Sequence, residues 1–75
     1  MSDRLGQVTP KECIRALERL GFVVRRITGS HTILRHSQKS HITVVPLHAK
    51  DLKRGTLFHI LKKADISNDE FKNAL

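Results

Sequence analysis

The chain has 75 residues, of which 14 are Lys or Arg and 7 are Asp or Glu, so its formal net charge is +7. A chain of this length is expected to fold as one domain, spanning residues 1–75, with a thin core and no room to enclose a large cofactor. The excess of positive charge favours a polyanionic partner, either a nucleic acid or an acidic protein.

Cys13 is the only cysteine, so no disulfide can form within the chain, which is typical of a reducing compartment. Its spacing with Leu17 and Leu20 places it on the apolar face of a helix, and we interpret it as a core residue rather than a nucleophile. No stretch approaches the ~20 apolar residues of a membrane span, and no signal-peptide pattern is present. We therefore expect a cytoplasmic protein.

The first helix is predicted over about Pro10–Leu20. Thr9 can cap its N-terminus, Pro10 suits the first helical position, and Glu12 completes a capping box. Apolar residues then recur at helical spacing as far as Leu20, and Gly21 can adopt the left-handed conformation that ends a helix.

Three runs rich in β-branched and apolar residues predict strands, at Phe22–Ile27, His31–His36 and His41–Val45. The segments between them are short and polar, Thr28-Gly29-Ser30 and then residues 37–40. Links of this length join antiparallel neighbours, so the pattern predicts a three-stranded antiparallel meander.

Two further helices are predicted after a connector of mixed composition. Gly55-Thr56 indicates the start of the first, with Thr56 as its cap, and apolar residues follow at helical spacing. Ser67 and Glu70 repeat the capping-box pattern, which predicts a short last helix over about Asn68–Ala74. The fold class is therefore α+β, in the order α-β-β-β-α with a short C-terminal helix, which is the layout of double-stranded-RNA-binding domains.

The segment Gly29-Ser30-His31 is the most informative for function. It places a histidine directly after a polar turn, at the start of a strand in a basic domain. An unperturbed histidine titrates near pH 6.5, which suits it to proton transfer at neutral pH. On these residues alone, a solvated strand end is the simpler interpretation.

A series of short strings extends from the first helix to the C-terminus. They are Leu20-Gly21-Phe22, Arg26 ahead of Gly29-Ser30-His31, Val45-Pro46-Leu47-His48, Gly55-Thr56-Leu57, Ile60-Leu61-Lys62 and Ser67-x-x-Glu70-Phe71. Each string is weak alone, but in this order and at these spacings they make the chain resemble the HicA family of toxin ribonucleases, the YcfA-like mRNA interferases.

That resemblance implies a double-stranded-RNA-binding-like fold, cleavage of mRNA, and neutralisation by a cognate HicB-like antitoxin. It also implies that His31 is the catalytic residue. The chain departs from the family at three positions. Thr32 stands where many members have a second histidine, Leu34 where an aromatic residue is frequent, and Asp65 where glycine is frequent.

RNA is cleaved when its 2′-hydroxyl attacks the adjacent phosphorus, and a protein assists by moving protons and stabilising negative charge. On this hypothesis His31 acts as a general acid or base with no metal and no cofactor. Arg26, Gly29 and Ser30 are expected to contact the phosphate. The products should carry a 2′,3′-cyclic phosphate and a 5′-hydroxyl.

Lys50, Lys53 and Arg54 are further candidate RNA contacts. They precede the predicted second helix, whose first N–H groups offer a seat for a phosphate. His48 is either another RNA contact or a support for the connector.

His36 and His41 flank the hairpin loop and suggest a cross-strand pair, while the histidine spacing argues against a zinc site. The alternative functions are a non-catalytic RNA-binding module of the same fold and a domain that binds a protein through its basic face.

Overall fold

The computed structural model describes residues 7–75. The elements in chain order are α1 (Pro10–Arg19), β1 (Phe22–Ile27), β2 (His31–His36), β3 (Ile42–Pro46), α2 (Arg54–Ala64) and α3 (Asn68–Ala74). The strands form an antiparallel sheet in the order β1-β2-β3. This confirms the predicted α+β class and element order; β1 and β2 have the predicted bounds, while β3 begins and ends one residue later than expected.

The predicted capping box of α1 is present. The Thr9 hydroxyl accepts from the Glu12 N–H at 3.1 Å, and the Glu12 carboxylate accepts from the Thr9 N–H at 3.0 Å. The chain then turns at Gly21, whose φ is +99°. A Cβ at this position would lie 2.7 Å from Nε2 of His36, so Gly21 is required both by its backbone conformation and by the space beside it.

The helices α1 and α2 lie on one face of the sheet, and the core lies between this face and the helices. Cys13 is fully buried there, and burial raises the pKa of its thiol to about 12. The thiol is therefore neutral and unreactive at physiological pH, as expected of a core residue. The hydroxyl of buried Thr43 donates to the Ile60 carbonyl at 2.9 Å, which joins β3 to α2.

The prediction that α2 starts at Gly55-Thr56 with Thr56 as its cap is wrong. The helix begins at Arg54 with Lys53 as N-cap, and Lys53 contributes no side-chain capping bond. Just before it, Leu52 is buried and its N–H donates to the Val8 carbonyl at 2.7 Å. Because this contact fixes the chain, helical structure starts as soon as the backbone leaves it, ahead of the residue with the best capping side chain.

The predicted α3 and its capping box are confirmed. Ser67 and Glu70 exchange two bonds of 3.1 Å, and the one from the Ser67 backbone lowers the pKa of the Glu70 carboxyl. At the other end of α3, Nη1 of Arg19 donates to the Ala74 carbonyl at 2.7 Å. The short C-terminal helix is thereby attached to the end of α1.

No element between residues 7 and 75 covers the other face of the sheet, which we call the open face. Among its apolar side chains, Val23 is 49% exposed, Ile42 is 50% exposed and Val44 is 38% exposed. Within the described part of the chain, every helix is too short or too polar to cross a membrane. Because no described element covers it, the open face is accessible to a partner.

Candidate active site

His31 is the first residue of β2 and lies on the open face. Its neighbour Thr32 is buried among the helices, and side chains alternate along a strand, so the His31 ring points to the opposite side. Its Cα partner on β3 is Pro46. His31 therefore lies at one end of the sheet, where β1 ends, β2 begins and β3 ends.

The backbone of His31 is held by Thr28, a residue to which the sequence analysis gave no role. The Thr28 N–H donates to the His31 carbonyl at 2.9 Å, and the His31 N–H donates to the Thr28 hydroxyl at 3.2 Å. The carbonyl of Ser30 accepts from the Leu47 N–H at 2.8 Å. The turn is thus fixed on both sides, and the position of the histidine is set by backbone hydrogen bonds.

The Ser30 hydroxyl lies 2.8 Å from Nδ1 of His31. Either atom can be the donor, depending on the tautomer of the ring. Nε2 forms no hydrogen bond with any residue from 7 to 75, and the side chain is exposed. One ring nitrogen is therefore oriented by a neighbour and the other faces solvent, as an acid–base group requires.

Arg26 lies on the same face as His31 because β1 contains a bulge. The register shifts between Val24 and Arg26, so that Arg26 pairs with Ile33, which lies two residues from His31 on β2. Strict alternation from buried Phe22 would have turned Arg26 towards the helices. The bulge brings a cation to the face and the end of the sheet where His31 is found.

Gly29 lies at the tip of the turn. A Cβ there would meet no atom of the described chain within 4 Å, and its φ is outside the left-handed range. The fold itself therefore does not require glycine at this position. If a larger side chain at position 29 lowers activity, the cause is a clash with a bound partner rather than with the protein itself.

Lys50, Lys53 and Arg54 are all exposed on the segment that runs from the end of β3 to the first turn of α2. The connector begins beside His31, since Pro46 is its strand partner. The corrected helix start moves the first N–H groups of α2 to residues 54–56, next to Lys53 and Arg54. The sequence prediction placed the N-cap at Thr56, three residues after the observed N-cap Lys53, so Arg54, which was expected ahead of the helix, is its first residue.

The other histidines have separate surroundings. Nδ1 of His36 accepts from the N–H groups of Gln38 at 3.0 Å and Lys39 at 3.1 Å. Nε2 of His41 lies 3.6 Å from the Asp65 carboxylate. The backbone of His36 donates to the His41 carbonyl at 3.0 Å, so the two residues are neighbours as predicted, but their side chains contact different groups.

His48 and His59 are exposed. Over residues 7–75, no three His, Cys, Asp or Glu side chains come together as a possible metal site. Thr32 is buried and faces the core, so this departure from the family lies on the side of the sheet opposite to His31.

A protein-family model described as the HicA toxin of bacterial toxin–antitoxin systems matches residues 10–66. The match begins with α1, includes all three strands and His31, and ends between α2 and α3. The string from Ser67 to Phe71 lies beyond it. No curated protein matches the chain.

Proposed function

The chain belongs to the HicA toxin family, and we propose that it is a metal-independent endoribonuclease that cleaves mRNA in the cytoplasm with His31 as its general acid or base. The observation that carries this proposal is the state of the His31 ring. Its Nδ1 is 2.8 Å from the Ser30 hydroxyl, while its Nε2 faces solvent on the open face of a basic domain.

In the proposed reaction, the 2′-oxygen of a ribose attacks the adjacent phosphorus and the bond to the 5′-oxygen breaks. The 2′-hydroxyl loses a proton and the leaving 5′-oxygen gains one. Nε2 of His31 serves one of these transfers, which typically accelerates a reaction by about 10²–10⁴-fold. The products are a 2′,3′-cyclic phosphate and a 5′-hydroxyl, so no hydrolytic water is needed for the cut.

Negative charge on the phosphoryl oxygens is stabilised by the cations and N–H groups around His31. Arg26 shares its face and its end of the sheet. The turn at Gly29 lets the RNA backbone come close to the protein, and Lys50, Lys53 and Arg54 extend the positive surface along the connector. The Ser30 hydroxyl orients the His31 ring, which adds to the phosphate contact proposed from the sequence.

A toxin of this family has a cognate antitoxin, and we propose that the partner here is HicB-like. An acidic antitoxin that covers the open face would neutralise part of the +7 charge and also bury the exposed apolar residues Val23 and Ile42. Such a partner blocks His31 directly. Cleavage that persists in a complex saturated with the antitoxin contradicts direct occlusion.

The test compares purified wild-type protein, His31→Ala and His59→Ala on a labelled mRNA in excess EDTA. His59 is the matched control because it is an exposed histidine on α2. We expect cleavage by the wild type and by His59→Ala, and a loss of at least about 100-fold in His31→Ala, with RNA affinity and thermal stability unchanged. Equal cleavage by His31→Ala, or RNA binding without any cleavage by the wild type, rejects the proposal.

A further inference from the structure

A second basic feature lies at the opposite end of the sheet from His31. It is a cleft of about 490 Å³ formed where β1, β2 and the loop after β2 meet. The side chains that line it are Val23, Arg25, Arg35, His36, Ser37, Gln38, Lys39 and Ser40. We call it the distal cleft.

The distal cleft carries a concentrated positive charge. Three of its eight lining residues are the cations Arg25, Arg35 and Lys39, and no lining residue is acidic. Neither arginine forms a hydrogen bond or salt bridge with any residue from 7 to 75. Lys39 is close enough to Glu70 to lower the pKa of that carboxyl. The donors of both guanidinium groups in the cleft are therefore available to an anion.

The backbone around the cleft is well defined. The bulge leaves Arg25 without a Cα partner on β2, whereas Arg35 pairs with Val23 on one side and Ile42 on the other. Two N–H groups of the loop donate to His36, at 3.0 Å and 3.1 Å. The cations are thus presented by a sheet and a hydrogen-bonded loop rather than by a helix surface.

The cleft and His31 belong to the same strand and are reached from the same side of the sheet. His31, Ile33 and Arg35 are every second residue of β2, so all three side chains lie on the open face. From His31 to His36 the strand advances by about 16 Å, which a few nucleotides of single-stranded RNA can span. The part of the open face that lies between the cleft and His31 includes Ile33 and Val44.

We propose that the distal cleft is a second phosphate site for the RNA substrate, which binds the RNA backbone a few nucleotides from the bond cleaved at His31. This inference rests on the proposed function. It assigns the cleft to the RNA backbone rather than to the antitoxin, because guanidinium groups beside hydroxyls and an amide suit phosphate oxygens, and Val23 is the one apolar residue among the eight that line the cleft.

The test is a binding measurement that does not depend on cleavage. The probes are 2′-O-methylated oligouridylates of about 3 and about 12 nucleotides, in which the attacking hydroxyl is blocked. Affinities are measured against salt concentration for the wild-type protein, for Arg25→Gln/Arg35→Gln and for the control Lys63→Gln/Lys72→Gln. The control removes the same charge from exposed positions on α2 and α3.

We expect the cleft variant to bind the long probe about tenfold more weakly and to reduce the slope of log affinity against log salt by about 1.4, as two lost contacts to a single strand predict. The short probe, which can occupy the His31 end alone, should bind almost unchanged. The control should show a much smaller effect. Lys39→Gln, which leaves both strands untouched, should weaken the long probe in the same direction.

The proposed phosphate site is overturned if the control variant loses as much affinity as the cleft variant, if the short probe loses as much affinity as the long one, or if the cleft variant loses no affinity. A cleft variant that keeps its RNA affinity but no longer binds the antitoxin assigns the cleft to the protein partner instead. If the wild type binds the long probe through the cleft but never cuts unmodified RNA, the proposed function fails while the phosphate site stands. If it cuts RNA and the cleft variant binds and cuts like the wild type, only the phosphate site fails.

Discussion

At the residue scale, His31 is positioned by groups from its own turn. Thr28 holds its backbone, and the Ser30 hydroxyl contacts Nδ1 at 2.8 Å. Both residues lie within three positions of His31, so the ring is oriented by its own turn, while the Leu47 N–H holds that turn from the connector after β3. A domain with a thin core can therefore hold an oriented histidine on its surface, as the proposed acid–base role needs.

Ser30→Ala tests whether this contact positions the ring. The change removes one hydrogen bond whose net worth is about 1 kcal/mol, so we expect kcat for RNA cleavage to fall by about fivefold to tenfold with KM unchanged. Ser30→Thr keeps the hydroxyl and should restore most of the rate. Steady-state kinetics on the three proteins measure both parameters.

Thermal unfolding of the same proteins supplies the control, because Ser30 is a half-buried turn residue outside the core and loss of its hydroxyl should leave the midpoint of unfolding nearly unchanged. If the Ala and Thr variants lose activity equally, the hydroxyl does not orient the ring. If only KM rises, Ser30 acts on the RNA phosphate instead.

The sequence predicted the position of His31 but not its surroundings. The turn could be inferred because Gly29 and Ser30 separate two runs with strand character. The bulge that brings Arg26 to the same face could not, because it is a property of the pairing between β1 and β2 rather than of either strand. For the same reason the sequence did not show that Arg25 and Arg35 share a cleft.

At the element scale, the helix ends show which local signals determine structure. Both capping boxes, at Thr9 and at Ser67, form as predicted, since each needs only residues within one turn. The start of α2 at Arg54 follows a tertiary contact between Leu52 and Val8, which no signal within one turn of the helix indicates. The end of β3 moved to Pro46, which is tolerated in a strand at the edge of the sheet.

Asp65→Gly tests whether the left-handed backbone conformation of Asp65, at the end of α2, destabilises the protein. Asp65 has φ 57° and ψ 47°, a left-handed conformation that costs a residue with a Cβ about 1–2 kcal/mol. Glycine removes this strain but gains entropy in the unfolded chain and loses the exposed contact with His41. We expect a net gain of about 0.5 kcal/mol in the free energy of unfolding, measured by urea denaturation.

Asp65→Ala is the matched control for that experiment. It loses the same contact with His41 but keeps a Cβ in the left-handed conformation, so it should be no more stable than the wild type. A glycine variant less stable than the wild type would mean that the Asp65 carboxylate contributes more than the strain costs.

At the scale of the whole molecule, the chain divides its two sheet faces between folding and function. The face under α1 and α2 holds the core, and the open face carries His31 at one end and the distal cleft at the other. On the proposed function, the net charge of +7 acts over the whole surface and attracts RNA without choosing where it is cut. We propose that the place of cleavage is set by His31, whose ring is oriented on that face by the Ser30 hydroxyl.

The most direct test of this account is the chemistry of the new RNA ends made by the wild-type protein in excess EDTA. Transesterification assisted by His31 predicts a 2′,3′-cyclic phosphate on one fragment and a 5′-hydroxyl on the other, and both should disappear with His31→Ala. Fragments with a 3′-hydroxyl and a 5′-phosphate, or cleavage that requires added divalent metal, would contradict the account.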